Sequence, residues 1–220
     1  MFDIISRPFG ALLKLIFDFT GSYGYAIILF TILTKILLLP INIKQTQSTK
    51  KMNEINPKMK EIQTKYKGDP EKMNEKLKEL YKEHNYNPAS GCLPALIQLP
   101  IIIALFRVLQ NPVGFVFTPE EFAAMAKGFW WLADLGKPDQ IYILPVLSAL
   151  TTYLQTAMIS SKGNADPTMK SMNTIMPLMI GWFTLKFPSG VALYWVVGNI
   201  FTILQQYFMT KNVFGRKGGE

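Results

Sequence analysis

The side chain with the clearest chemical potential in this sequence is a lysine inside an apolar segment. Lys35 stands near the middle of YGYAIILFTILTKILLLPINI, residues 23–43, which is long enough to cross a bilayer as a helix. A lysine at the centre of a membrane helix costs about 2.5–3.5 kcal/mol on insertion scales. Thr31, Thr34 and Lys35 occupy positions i, i+3 and i+4, so they form one polar face. The charge therefore needs either a partner or water.

Polar residues with helical spacing recur in three other apolar segments. The last segment carries a row spaced 4-3-4, which consists of Trp195, Asn199, Thr202 and Gln206. The second segment carries Gln98 between two prolines. The third carries Ser148, Thr151, Thr152 and Gln155. For this third row we predict hydrogen bonds between helices, which Ser, Thr and Gln side chains often make in membranes.

The other rows predict a groove that contains water. No acidic residue lies in a predicted span at the depth of Lys35, so a buried ion pair cannot neutralise it there. Polar groups in hydrocarbon must find partners or water. We therefore expect the first, second and fifth apolar segments to line a wet concavity. The predicted groove residues are Thr31, Thr34, Lys35, Gln98, Trp195, Asn199, Thr202 and Gln206.

Five membrane-spanning helices are predicted to position these residues. The chain has 220 residues, 49% of them hydrophobic, and the apolar ones cluster in five stretches. The predicted spans are 23–43, 93–110, 140–159, 172–187 and 190–210. The segment Lys44–Tyr86 holds eleven lysines and seven acidic residues, and the positive-inside rule places it in the cytoplasm. The predicted fold is an all-α integral membrane protein with its N-terminus outside and its C-terminus inside.

The remaining segments are assigned from this topology. Residues 1–22 predict an amphipathic helix that either lies on the outer membrane surface or packs on protein. Residues 44–87 predict a cytoplasmic hairpin, residues 88–210 hold the second to fifth spans with an outer loop at 111–139, and residues 211–220 form a cytoplasmic tail. In the outer loop, Thr118 and Glu121 predict a capping box, and FWW at 129–131 fits the membrane–water interface.

The lysine-rich segment predicts an antiparallel helical hairpin. Apolar residues recur with heptad spacing at Met52, Ile55, Met59, Ile62 and Tyr66, and again at Met73, Leu77, Leu80 and His84. Between the two runs, KGDP predicts a turn in which Asp69 caps the second helix and Pro70 takes its first position. Proline is costly inside a helix. We therefore expect Asn56 to cap, and Pro57 to begin, the first hairpin helix.

Several classes of function are excluded by the composition. A single cysteine, Cys92, and a single histidine, His84, exclude an intramolecular disulfide, a cysteine-pair metal site and a multi-histidine site. Glycine-rich phosphate loops, H-E-x-x-H and G-x-S-x-G are missing from the sequence. We expect neither an enzyme nor a cofactor. Lysine enrichment beside a predicted span indicates a cytoplasmic loop rather than a specific nucleic-acid site.

Several long motifs in register resemble the YidC/Oxa/Alb family of membrane protein insertases. These motifs are FPSGVALYWVVGNIFTILQQYFM at 187–209, NPASGCLPALIQLPIIIALF at 87–106, IYILPVLSALTTYLQ at 141–155, TKILLLPINIKQTQS at 34–48 and QTKYKGDPEKM at 63–73. The resemblance extends over nearly the whole chain and is greatest to the short bacterial form. It implies a five-helix core whose amphiphilic groove is closed to the outside and open to cytoplasm and lipid, in a multi-pass protein of the bacterial plasma membrane.

The resemblance also implies roles for residues and partners. The family's groove cation is usually arginine, and Lys35 holds that place here, while Thr31 and Trp195 fall at positions that face the groove. Nascent membrane proteins are the implied substrates, inserted without ATP or a cofactor, alone or beside the Sec translocon. The lysine excess of the hairpin, together with the C-terminal tail, suggests docking to the ribosome, a targeting factor or anionic lipids.

The residues leave one alternative of a different class. A small-solute channel or anion transporter could be lined by the same polar rows. A channel needs a path through both leaflets, whereas the polar residues concentrate in the middle and the cytoplasmic half. The outer end of the first segment, GYAII, is apolar. This distribution favours a half-channel, and therefore an insertase.

Overall fold

The computed structural model describes residues 3–87, 93–124, 127–159 and 167–216, and its secondary structure there is helical. Ten helices follow one another, α1 to α10, with these bounds: Asp3–Thr20, Tyr23–Leu37, Leu39–Lys65, Pro70–Glu83, Leu93–Gln110, Pro112–Phe115, Pro119–Ala124, Ile143–Ile159, Pro167–Thr184 and Ser189–Arg216. The all-α class predicted from the sequence is confirmed for these residues.

The first predicted span, 23–43, is divided in two. Helix α2 ends at Leu37, α3 begins at Leu39, and their axes differ by 61°. Pro40 is the physical cause, because proline lacks the N–H of the helical ladder and disfavours the helical conformation of the residue before it. Lys35 consequently lies in the last turn of α2, just above the bend, and not in the interior of a straight helix.

The other four predicted spans each coincide with one helix, namely α5, α8, α9 and α10. In the described part of the chain, no helix alone has both the length and the hydropathy needed to cross a bilayer. Only α2 and α3 together satisfy that criterion, as a bent pair.

The hairpin is formed by α3 and α4, which pack through the predicted seam. Ile55 and Leu80 are buried on facing helices. The Asp69 carboxylate accepts the backbone N–H of Lys72 at 3.1 Å, and Pro70 begins α4, which confirms the predicted cap. The predicted helix start at Pro57 is wrong, because α3 runs through this proline from Leu39 to Lys65. An internal proline costs about 3 kcal/mol, which the burial of Ile55 against α4 helps to offset.

Helix α1 packs on the protein through one face. Leu13 and Ile16 are buried against α2 and α5, and the rings of Phe9 and Phe30 meet edge to face at 5.5 Å. A second face carries Leu15 and Phe19, which are 68% and 88% exposed. Helix α1 therefore packs on the protein through one face, and contact of its exposed apolar face with the outer membrane surface stays a prediction.

The outer loop is tied to α1. Lys14 pairs with Glu121 at 3.1 Å, and Glu121 in turn accepts the Thr118 N–H at 2.8 Å, while Thr118 Oγ1 accepts the Glu121 N–H at 3.2 Å. The predicted capping box is therefore confirmed. Hydrogen bonds from the Thr118 backbone and from Lys14 stabilise the charged carboxylate and lower the pKa of Glu121.

The buried core lies at one end of the helices. It is formed by α1, the first half of α2, the second half of α5, the beginnings of α8 and α10, and loop 111–139. Its most buried side chains include Leu13, Ile27, Phe30, Leu105, Val108, Leu135, Leu144 and Val191. The second halves of α2 and α10 extend beyond this core. The polar residues named from the sequence lie at or beyond its edge.

Candidate functional site

The Lys35 cluster lies between α2 and α10 and consists of Lys35, Thr31, Thr34, Gly198 and Thr202. The half-buried Lys35 side chain crosses the surface of α10, and its Nζ lies 3.5 Å from Oγ1 of Thr202. The Thr202 hydroxyl donates its proton to the carbonyl of Gly198, one turn earlier, at 2.9 Å. Because that proton is committed, Thr202 offers only its lone pairs to the ammonium group.

The two threonines on α2 use their hydroxyl protons within the helix. Thr31 is fully buried and donates to the carbonyl oxygen of Ile27 at 2.6 Å. Thr34 is 7% exposed and donates to the carbonyl oxygens of Phe30 and Thr31. Since each hydroxyl proton is used within α2, neither threonine has a proton left to donate to another group. The methyl group of Thr31 faces Gly198 on α10, beside the end of the Lys35 side chain.

Lys35 has no counter-ion among the described residues. The ion pairs of that part of the chain join lysines to acids on α1, the hairpin and the outer loop, and none of them includes Lys35. An ammonium group with one long hydrogen bond from three possible donors retains capacity for an external acceptor. The arrangement suits a carboxylate brought from another molecule.

Trp195 and Asn199 face a different neighbour, α8. Trp195 Nε1 donates to Oγ1 of Thr152 at 3.0 Å, and the Asn199 carboxamide lies 2.9 Å from Oγ1 of Thr152 and 3.1 Å from Oγ1 of Thr151. The carboxamide of Gln155 lies 2.7 Å from the other terminal atom of Asn199. The interhelical hydrogen bonds predicted for the third row are confirmed for Thr151, Thr152 and Gln155, with α10 as the partner helix. The buried hydroxyl of Ser148 has no hydrogen-bond partner among the described residues, so the prediction is wrong for this residue.

The remaining predicted residues lie apart from the Lys35 cluster. Gln98 on α5 donates through Nε2 to the hydroxyl of Tyr194 on α10 at 2.7 Å. Gln206 is 7% exposed and lies one turn beyond Thr202. The structure therefore brings together four of the eight predicted groove residues, Lys35, Thr31, Thr34 and Thr202, and distributes the other four along α5 and α10.

Two residues of this region were missed from the sequence. Tyr194 is the partner of Gln98, and its apolar neighbours gave no sign of that hydrogen bond. Gly198 lies directly beneath the end of the Lys35 side chain, since a carbon placed at its Cβ position would be 3.0 Å from Cε of Lys35. Its position four residues before Thr202, on the same helical face, was the available signal.

The end of the cluster nearest loop 111–139 is closed by close packing. Ile27 and Phe30 have no exposed surface. Any side chain at Gly24 would overlap the ring of Phe129 from the outer loop, and one at Gly190 would press on Leu109 and Ile27. The outer loop is also hydrogen-bonded to the start of α10, since the Gly190 N–H donates to the Leu135 carbonyl at 2.9 Å.

Large apolar side chains cover the outside of the helices. On α2 alone, Leu29, Leu33, Ile36 and Leu37 are each at least 41% exposed, and α8, α9 and α10 carry similar residues. An apolar recess of about 230 Å³ lies between α1 and α2, lined by Leu15, Ile16, Phe19, Leu29, Ile32, Leu33 and Ile36. Exposed apolar surface of this extent is unusual for a protein surrounded by water and suits contact with lipid.

An all-helical fold with this much exposed apolar surface is that of a helical membrane protein, and Lys35 lies in it without a counter-ion among the described residues. Residues 15–216 match the family model described as 60Kd inner membrane protein. A membrane protein insertase YidC from Caldanaerobacter subterraneus subsp. tengcongensis is 40% identical over 214 residues, which are 97% of this chain and 98% of the relative. The relative of the same name from Clostridium perfringens is 44% identical, over 88% of this chain and 81% of its own.

Longer relatives contain the same region. The chain spans 38% of the Wolinella succinogenes YidC, at 39% identity. A solved structure described as an active YidC insertase with the first transmembrane domain resolved superposes with a TM-score of 0.70 at 32% identity, over 88% of this chain and 43% of that one. The chain therefore belongs to the YidC family of membrane protein insertases, which is a family of the bacterial inner membrane and is not enzymatic.

Proposed function

We propose that this protein inserts nascent membrane proteins by capturing their acidic hydrophilic segments in a cationic groove that opens to the cytoplasm and to lipid. The observation that carries the proposal is the Lys35 cluster, in which an ammonium group lies beside an acceptor on α10, Thr202 Oγ1, with no carboxylate of the described residues beside it. The groove is formed by the eight residues predicted from the sequence, with Lys35 as the cation. Gln98, Trp195, Asn199 and Gln206 extend it along α5 and α10.

Electrostatic attraction begins the insertion. Two unit charges 4 Å apart attract by about 4 kcal/mol at an effective dielectric constant of 20. That gain is of the same order as the cost of keeping a lysine at membrane depth. The acidic segment needs to enter only the inner leaflet. The following apolar segment then partitions into lipid, at roughly 0.8 kcal/mol for each buried methylene group, and completes the insertion without ATP.

The topology belongs to the same proposal. Five spans cross the membrane, with the N-terminus outside and the C-terminus inside. The bent pair α2–α3 contains the first span, and α2 begins at the outer end of that span. Helix α1 lies at the outer surface with Leu15 and Phe19 towards lipid. The dense packing around Ile27, Phe30 and Phe129 closes the groove towards the outside. The protein works alone or beside the Sec translocon.

Reconstitution tests this function against the alternative of a small-solute channel or anion transporter. We expect proteoliposomes to insert a single-span substrate with an acidic tail and to show no flux of small anions above that of empty liposomes. The reason is that the packed outer end leaves no polar path through both leaflets. Anion flux without insertion would contradict the proposal and favour the channel.

The hairpin of α3 and α4 is proposed as the docking element for the ribosome, a targeting factor or anionic lipid headgroups. Its exposed surface carries most of the lysines between Lys44 and Lys82.

Replacing 57–85 by a short glycine–serine linker should lower the delivery of substrate severalfold. The detergent melting transition should remain, because the buried core lies in the other helices. Loss of that transition would mean that the hairpin is structural. Insertion of a substrate supplied free of ribosomes serves as the control.

A further inference from the structure

Gly198 lies where the Lys35 side chain crosses α10. A carbon at its Cβ position would lie 3.0 Å from Cε and 3.6 Å from Nζ of Lys35, and 3.7 Å from Cγ2 of Thr31. Each contact is made with the cluster around the ammonium group. A glycine inside a helix is unfavourable by about 1 kcal/mol relative to alanine, so its presence here calls for a local reason.

We infer that Gly198 is a positioning residue: its missing side chain lets Lys35 lie flat across α10 and hold its ammonium group at Thr202. With a methyl group at position 198, the end of the lysine would have to rise from the helix surface. The distance of 3.5 Å between Nζ of Lys35 and Oγ1 of Thr202 would then increase. That this geometry serves to capture acidic segments rests on the proposed function. That Gly198 sets the position of Lys35 does not depend on the proposed function.

The variant Gly198→Ala is expected to fold. The nearest atoms belong to the far end of a flexible lysine chain, which can move at small cost, and alanine improves the helix propensity of α10. A defect in this variant would therefore report the position of the charge and not the stability of the helix. Gly181→Ala is a matched control, because its new methyl group would lie 3.1 Å from Cβ of Ala149 on α8, away from the Lys35 cluster.

The position of the charge can be read without any insertion assay. Thr202→Cys, in a Cys92→Ala background, places a thiol next to the ammonium group. The rates of its modification by an anionic and by a cationic methanethiosulfonate reagent are then compared. A cation a few ångströms away raises the thiolate fraction for both reagents alike, and it also attracts the anionic reagent and repels the cationic one. The first effect cancels in the anionic-to-cationic rate ratio, so Lys35→Met should lower this ratio by about fivefold or more. Gly198→Ala should lower the ratio towards the Lys35→Met value, and Gly181→Ala should leave it unchanged.

The inference is overturned if Gly198→Ala leaves the ratio at its original value, or if Lys35→Met does not lower it. Insertion is measured in parallel with substrates that carry an acidic or an uncharged tail. Gly198→Ala should slow only the acidic one, and should have no further effect when combined with Lys35→Met. A lowered ratio with unchanged insertion of both substrates would support the role of Gly198 in positioning Lys35. The same result would contradict the capture of substrates by charge.

Discussion

Lys35→Glu is expected to abolish insertion of a single-span substrate with an acidic tail. The substitution places a carboxylate beside Thr202 in place of the ammonium group, where it repels the incoming segment instead of attracting it. At 4 Å the change from attraction to repulsion reverses an interaction of about 4 kcal/mol at an effective dielectric constant of 20. Initial rates in proteoliposomes should fall by at least a factor of ten.

Three variants separate charge from shape at this position. Lys35→Arg keeps the charge and should keep insertion, although the planar guanidinium needs more width above Gly198. Lys35→Met keeps the length without the charge and should give an intermediate rate. Lys186→Glu makes the same change of net charge at an exposed position and should leave the rate unchanged. Equal rates for Lys35→Glu and the unaltered protein would rule out capture by charge.

Local chemistry was predictable from the sequence. The cap at Asp69 and the capping box of Thr118 and Glu121 depend on residues within three or four positions of one another, and the structure has both. The hydrogen bonding of Thr151 and Thr152 also followed from the scarcity of partners in an apolar helix. In each case the sequence neighbours alone determine which polar groups must be satisfied.

The two prolines of α3 show where such reasoning fails. Pro40 and Pro57 have the same local cost. The helix breaks near the first and continues through the second. Pro57 lies two residues after the buried Ile55, in the helix that packs on α4, whereas Leu37 beside the first break is exposed. Tertiary packing decides whether the helix breaks at a proline or continues through it, and this packing cannot be predicted from the spacing of residues along the chain.

The row on α10 shows a second limit. Its 4-3-4 spacing correctly places Trp195, Asn199 and Thr202 near one another, but a row about one residue wide can face two neighbours. Trp195 and Asn199 contact α8, whereas Thr202 contacts Lys35. The helix that each residue of the row contacts depends on how α2 and α8 pack on α10. The spacing of the row along the sequence does not predict that packing.

The second prediction with a large expected effect concerns the side of the membrane from which reagents can reach the groove. Single cysteines at Thr202 and Gln98, in a Cys92→Ala background, should react with a membrane-impermeant charged maleimide added from the cytoplasmic side. Both native side chains are half-buried and beyond the dense core, so water can reach them from the less packed end. A cysteine at Ile27, whose native side chain is fully buried, should resist the reagent from both sides.

From the outside, the two groove cysteines should react at least tenfold more slowly than from the cytoplasm. The physical reason is the packing of Phe129 on Gly24 and of Leu109 and Ile27 around Gly190, which leaves no space for a charged reagent and no polar groups to hydrate it. Cysteines at the exposed Lys137 in the outer loop and Lys67 in the hairpin serve as positive controls for the two sides. Comparable labelling of Thr202→Cys from both sides would establish a continuous aqueous path. A protein with such a path would conduct solutes, and the channel would then replace the insertase as its function.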